Sequence, residues 1–328
     1  MTLILGREEV ESLLNMEITI RAVENAFKEM GEGRIKMPPR IPIVLEEYSG
    51  ATGFMPAYIE KTRVMGIKIM SHYGQNPQKF NLPYLIGLIV LSNPETGYPY
   101  AIMDAGFITT MRTGAAGAVG AKYLSRKDSE IAGVIGLGDQ GKSQIVALDK
   151  VRKIRKVKAY DISKESQANF AKEMRDKIDS DIEIVESAKM AVKDVDILIT
   201  CTPSTRPIVK GEWIDKGTHI TAIGADMPEK EELYPNAFEK IDKIVVDSKE
   251  QAIITGELSI PISEEVITEN DIYSTIGEIV AGKKAGREHY EEITLFKSTG
   301  LAIQDISTAY EVYKRAKRKR KGTEVEII

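Results

Sequence analysis

The stretch Ile131-Ala-Gly-Val-Ile-Gly136-Leu-Gly138-Asp-Gln-Gly141 decides how the rest of this chain is read. Ile131 to Ile135 is short, apolar and rich in β-branched residues, which predicts a strand. The G-x-G-x-x-G pattern follows at once and opens a helical segment, Gln140 to Lys150. Each glycine then has a mechanical task. Gly136 allows the tight turn, Gly138 lets the backbone approach a pyrophosphate, and Gly141 permits close packing of the helix, whose N-terminal amides face the phosphates. Asp161 stands 20 residues after Gly141, at the end of the next predicted strand, Val157 to Tyr160. A carboxylate there hydrogen-bonds the ribose hydroxyls of NAD and repels the 2′-phosphate of NADP. NAD is therefore the expected cofactor, with Lys153, Arg155 and Lys156 close enough to leave some use of NADP open.

Working outward, the segment after Ser129 alternates strand-like and helical patterns: Ile131–Ile135, Gln140–Lys150, Val157–Tyr160, Glu165–Ile178, Ile182–Val185 and Ile197–Thr200. His219–Ile223 and Lys243–Val246 read as further strands. The predicted fold class is α/β, a Rossmann-type doubly wound parallel sheet. Before it, Arg7 to Glu32 predicts two amphipathic helices, and Met37-Pro-Pro-Arg40 forces an extended segment that carries Arg40. Ile41–Leu45, Gly53–Ile59, Val64–Met70, Leu85–Leu91 and Tyr100–Met103 predict a mostly antiparallel or mixed sheet. Thr109 and Thr110 look like caps for a Gly- and Ala-rich helix, Met111–Leu124. The last helix, Ala302–Lys319, falls after the nucleotide-type unit and so is expected to complete the first domain. The domain expectation is residues 1–125 with 301–328 for one unit and 126–300 for the other.

The chain has 328 residues, 42% hydrophobic and 29% charged, which suits two domains and excludes both a disulfide-stapled miniprotein and a disordered chain. With 45 basic and 49 acidic residues the net charge is −4, so no single-sign field draws the whole molecule to nucleic acid or lipid. Cys201 is the single cysteine, and His72, His219 and His289 show no metal-ligand spacing with it. A reducing cytoplasm and no metal are expected. The longest clearly apolar run, Tyr84 to Leu91, is far shorter than the ~20 residues of a spanning helix.

Several residues at predicted strand ends invite chemistry. Thr202 and the segment Gly224-Ala-Asp226 follow strands at their C-terminal ends, where ligands of open parallel sheets bind, so Asp226 is placed to reach a cofactor or substrate. Its competing reading is a turn residue before Pro228. Cys201 reads as a small buried hydrophobe, since no adjacent cation stabilises a thiolate. Arg112, read as lying just inside a helix N-terminus, is misplaced for helix stabilisation and points to a nearby anion. Lys68, between apolar neighbours on a strand, has as its bland reading a lysine that snorkels to solvent. Arg40 has surface charge as its rival reading. The run Lys314-Arg-Ala-Lys-Arg-Lys-Arg-Lys321 reads as a solvated, dipole-favoured helix end.

Thr109-Thr-Met-Arg112-Thr-Gly-Ala-Ala-Gly117, the glycine fingerprint, Ile223-Gly-Ala-Asp226, and Phe296-Lys-Ser298-Thr-Gly300 followed by Ala302-Ile-Gln-Asp305 resemble the ornithine cyclodeaminase and mu-crystallin family over nearly the whole chain. Met37-Pro-Pro-Arg40, Met55-Pro-Ala-Tyr58 and Thr275-Ile-Gly-Glu-Ile-Val-Ala-Gly282 resemble its archaeal alanine dehydrogenase branch most. The resemblance implies a homodimer with a discontinuous α/β dimerisation domain and an NAD-binding domain. It implies that Arg40, Lys68 and Arg112 hold or adjoin a substrate carboxylate, that Lys68, following Gly66-Ile67 on a strand, is the catalytic lysine, and that Asp226 is the acid/base group. It implies dinucleotide contacts from Arg112, Asp139, Gln140, Asp161, Thr202, Ala222, Gly224, Lys230 and Ser298. Gly53 stands where cyclodeaminases carry a glutamate, which weighs against ornithine, and Leu82-Pro83-Tyr84 departs from a Leu-Pro-Thr pattern.

The activity implied is NAD-dependent, reversible oxidative deamination of a small L-amino acid, alanine first, to the 2-oxo acid and ammonia. Three alternatives stand beside it: reduction of a cyclic imino acid such as pyrroline-2-carboxylate, ornithine cyclodeamination, and non-catalytic dinucleotide binding. The expected partners are thus a small amino or imino acid and a second copy of the chain, with no nucleic acid and no membrane.

Overall fold

The computed structural model describes residues 1–327, which divide into two compact units: residues 1–112 with 301–327, and Thr113–Gly300. The division falls within one helix, Gly106–Leu124.

Among the described residues the first unit has an eight-stranded mixed sheet, ordered Thr323–Val325, Thr2–Leu5, Pro99–Asp104, Leu85–Ser92, Val64–Tyr73, Gly50–Ile59 and Ile35–Lys36, with Ile41–Leu45 also paired to Gly50–Ile59. Thr2–Leu5 runs parallel to Pro99–Asp104, and the other pairs are antiparallel. Helices Arg7–Leu13, Met16–Gly31 and Ala302–Lys319 pack with this unit, the last against the three central hairpin strands. The pleat sends alternate side chains to opposite faces. Val64, Gly66 and Lys68 are buried, whereas Ile67 and Ile69 are half-buried with Phe54, Pro56, Val90 and the exposed Leu88 of the paired strands.

Strands at the very ends, Thr2–Leu5 and Thr323–Val325, were not among the sequence expectations; each is too short to show a period, and they pair with each other. The helix expected from Met111 begins earlier, at Gly106, where the Asp104 carboxylate accepts from the amide of Phe107 at 3.3 Å. Thr109 and Thr110 therefore lie inside the helix, not at its cap, and Arg112 is in the second turn. The electrostatic argument from a helix N-terminus accordingly loses its force for Arg112, since that effect fades within the first turn.

The second unit contains an eight-stranded sheet, every pair parallel, ordered Asp181–Ile184, Lys156–Tyr160, Ile131–Ile135, Ile197–Thr200, His219–Ala222, Thr294–Lys297, Lys243–Val246 and Ile272–Thr275. Its strands are apolar on both faces, with Val134, Val157, Ile197, Leu198, Ile220, Val245 and Leu295 all buried. Helices covering both sides produce such runs. Strand order reverses between Ile131–Ile135 and Ile197–Thr200, which opens a crevice beyond their C-terminal ends. No helix among the described residues is long and apolar enough to cross a membrane.

Candidate functional site

In the second unit the glycine loop fills its mechanical roles one by one. Gly136 has φ +93°, a region that favours glycine, and a Cβ there would overlap the Cys201 carbonyl. Gly138 is exposed, and nothing lies within 4 Å of a Cβ built on it. Gly141 is buried against the Gly136 carbonyl, with no room for a side chain. The helix Asp139–Asp149 has Gly138 as its N-cap and no capping side chain, which leaves its first amides to an incoming anion. Gln140 Oε1 is buried without a hydrogen-bond partner, while Asp139 is exposed. Taken together these features fit a dinucleotide pyrophosphate.

Asp161 follows the strand Lys156–Tyr160 and is half-buried. Its Oδ2 accepts the Leu137 amide at 2.8 Å and its Oδ1 the Ser163 amide at 2.8 Å. Each carboxylate oxygen has a lone pair left for a ribose hydroxyl. Thr202 and Gly224 lie just past neighbouring strands and donate their amides to Glu232, at 2.6 and 2.9 Å. Ala222 ends its strand and accepts the Ser298 amide at 3.3 Å, and the Ser298 hydroxyl donates to Asp247 at 2.7 Å. Asp226, with its side chain half exposed, pairs with Lys230 at 2.7 Å. The Cys201 thiol is pushed well up by burial and by Glu232, which fits a protonated, unreactive group.

In the first unit, Lys68 and Arg112 come together on one carboxylate. Lys68 Nζ is 2.9 Å from Asp305 Oδ2 and Arg112 Nε is 2.9 Å from Asp305 Oδ1, while a second Arg112 nitrogen donates to Gln304 Oε1 at 2.7 Å. Lys68 is 2% exposed and Asp305 is fully buried. Snorkelling is therefore excluded for Lys68. Burial lowers its pKa to about 8, Asp305 pulls it back up, and the charges of Arg112 and Arg40 push it down. Arg40 is thus close enough to act on Lys68. Two cations on one buried carboxylate, with the charge of Arg40 acting on Lys68, leave an excess of positive charge in a poorly solvated place, which an anionic ligand would balance. Gln304 and Asp305 received no role from sequence reasoning. Their signal was available: an amide and an acid beside Ile303 and Ile306, on the buried side of an amphipathic helix.

The fold and these two sites define a dinucleotide-binding α/β protein, with the glycine loop in its second unit and a cationic cluster on a buried carboxylate in its first. The chain belongs to the ornithine cyclodeaminase/mu-crystallin family, which it matches over residues 1–320. It is 44% identical over 327 residues to the alanine dehydrogenase of Archaeoglobus fulgidus, covering 99% of this chain and 98% of that one. Among solved structures it resembles the Δ1-pyrroline-2-carboxylate reductase of Thermococcus litoralis in complex with NADH and L-proline. The TM-score is 0.95 at 44% identity, over 99% of this chain and 100% of that one. It also resembles an archaeal alanine dehydrogenase dimer with bound NAD, with TM-score 0.93 and 44% identity over 100% and 99% of the two chains.

Proposed function

We propose that this protein is an NAD-dependent oxidoreductase of small α-amino or α-imino acids, and that its substrate is L-alanine, oxidised to pyruvate and ammonium. The observation that carries the reading is the cluster of Lys68 and Arg112 on Asp305, in a chain whose other unit has an open glycine loop and a free-sided Asp161. Gly136, Gly138, Gln140, Gly141, Asp161, Thr202, Gly224 and Ser298 are the residues proposed to hold the dinucleotide. When bound, it supplies the hydride acceptor.

The chain's own groups handle charge and protons. Arg112 and Arg40 fix the substrate carboxylate by charge-assisted hydrogen bonds. Lys68, still an ammonium at neutral pH, stabilises negative charge developing on the oxygen that water adds to the α-carbon. Asp226 accepts protons from the amine or the attacking water, and its half-exposed carboxylate can pass them to solvent. Ammonia then departs and the 2-oxo acid remains. The likeness at equal identity to a pyrroline-2-carboxylate reductase supports a second reading, in which a ring imine is reduced at the same carboxylate cluster.

The partly exposed apolar sheet face of Phe54, Ile67, Ile69, Leu88 and Val90, together with the dimer formed by an archaeal relative, supports a homodimer built through the first unit. Absorbance at 340 nm separates the readings. Alanine with NAD is expected to accumulate NADH; consumption of NADH by pyrroline-2-carboxylate with no response to alanine would transfer the assignment to the second reading.

A further inference from the structure

Behind the strand ends of the second unit lies a group of charges that the reaction above does not use. Glu232, Glu257 and Lys297 are each fully buried. The Glu232 carboxylate spans two loops: Oε1 accepts the amide of Thr202 at 2.6 Å and Oε2 the amide of Gly224 at 2.9 Å. Glu257 in turn fixes the strand that carries Glu232, its Oε1 accepting the amides of Glu232 at 3.0 Å and Leu233 at 2.5 Å. Lys297 Nζ donates to the Ala225 carbonyl at 2.6 Å, one residue before Asp226. The loops are pressed together so closely that a Cβ on Gly224 would overlap the Thr202 backbone and Glu232 Oε1.

Burying two acids with one lysine is expensive in an apolar interior, and a neutral hydrophobic plug would fill the same space more cheaply. Something besides stability explains the arrangement. The amides being held belong to loops at the crevice rim; that of Gly224 also reaches the Thr200 carbonyl at 3.2 Å, whereas that of Thr202, past the end of its strand, is held by Glu232. We propose that Glu232 and Lys297 are positioning residues: Glu232, by holding the Thr202 and Gly224 amides, fixes the two rim loops for dinucleotide binding, Lys297 fixes the backbone of Asp226 for proton transfer, and Glu257 anchors Glu232. Burial raises both glutamates above the ordinary carboxylate range, each also feeling the attraction of Lys297, so the pair tends to keep a proton and the group as a whole approaches neutrality. The functional part of this inference rests on the dinucleotide and Asp226 roles proposed above; the structural part does not.

The test is amide hydrogen exchange on the free protein, combined with binding and turnover. In the wild type, the Thr202 and Gly224 amides should be protected to the level of the Ile197–Thr200 strand. Glu232→Gln puts a donor opposite one of those two amides, so exchange there should accelerate at least about tenfold, with about a tenfold weaker dinucleotide Kd. Lys297→Met keeps the stem and frees the Ala225 carbonyl; it should lower kcat about tenfold while leaving the dinucleotide Kd within about threefold. This split between Kd and kcat is not what general loosening gives. Rapid exchange of the two amides in the wild type would overturn the clamp, a reading that needs neither a folded variant nor any ligand. Faster exchange in Glu232→Gln with an unchanged Kd, or loss of Kd and kcat together in both variants, would overturn its positioning role.

Discussion

Lys68 Nζ and Asp305 Oδ2 stand 2.9 Å apart, both buried, on a strand and a helix separated by most of the chain. Asp305 also takes Arg112, so it is the carboxylate that allows two cations to share one buried site. Asp305→Asn removes the charge while keeping the shape. Uncompensated buried cations follow, and the expected loss is about 3–5 kcal/mol of stability. If the variant folds, Lys68 loses the group that raises its pKa and kcat/KM should fall on the order of a hundredfold. Thermal melts and steady-state rates check both; a variant as stable and as active as the parent would remove Asp305 from the site.

The Lys68 ammonium is held at about 8, below its ordinary 10.5, chiefly by burial. The sign follows directly: below about 8 the group is a cation, and it is lost as pH rises through that value. Pyruvate stays ionised throughout this range, and because burial also pushes Glu257 up to about 8, the lysine's share of its binding to the protein loaded with NADH is read from the comparison with Lys68→Arg. Affinity should fall as pH passes about 8, and Lys68→Arg, whose guanidinium stays charged, should abolish that limb. A flat profile for the wild type from pH 6 to 10 would detach Lys68 from the bound 2-oxo acid.

How much of this was legible in the sequence follows from the range of the forces involved. The glycine loop, Asp161 and the alternating strands and helices obey local rules, and their positions are close to those expected. The start of the helix at Gly106 was misread because two adjacent threonines resemble a cap, while the group that caps it is Asp104. Asp305 and Glu232 act on partners outside any local pattern: Lys68, most of the chain away, for the first, and the loop ends at Thr202 and Gly224, 30 and 8 residues away, for the second. No periodicity encodes such meetings. Only an acid on an apolar helix face, as at Asp305, gives a one-dimensional hint.

Asp161 combines two tasks, holding the Leu137 and Ser163 amides and offering its remaining lone pairs outward. Asp161→Ser removes the charge that would repel a 2′-phosphate and keeps a short hydrogen-bonding side chain. The ratio of kcat/KM for NAD over NADP should fall by about tenfold or more, mostly through weaker NAD binding. An unchanged ratio would mean that another group reads the ribose.

Gly138 and Gly141 differ in a way that separates binding from folding. A methyl on Gly138 meets only open space in the protein, so Gly138→Ala should leave the melting temperature nearly unchanged while weakening NAD by about tenfold or more. Gly141→Ala drives a methyl into the Gly136 carbonyl and should destabilise by about 1–3 kcal/mol. Titration of each variant with NAD alongside its melting curve tests the contrast. If Gly138→Ala bound NAD as tightly as the wild type, the pyrophosphate could not approach there.

Leu88 is 49% exposed in the middle of a sheet face that also carries Ile67, Ile69 and Val90, and a charge at that point cannot be turned away from the patch. A homodimer built on this face would bury the patch, and an unpaired carboxylate inside such an interface costs several kcal/mol. Leu88→Asp should therefore shift the protein from dimer to monomer in sedimentation experiments at micromolar concentration. The monomer's own fold should survive, because the side chain has no place in the core. A variant that sediments as a dimer with unchanged affinity would move the interface to another surface, and a wild type that is monomeric at high concentration would remove the dimer altogether.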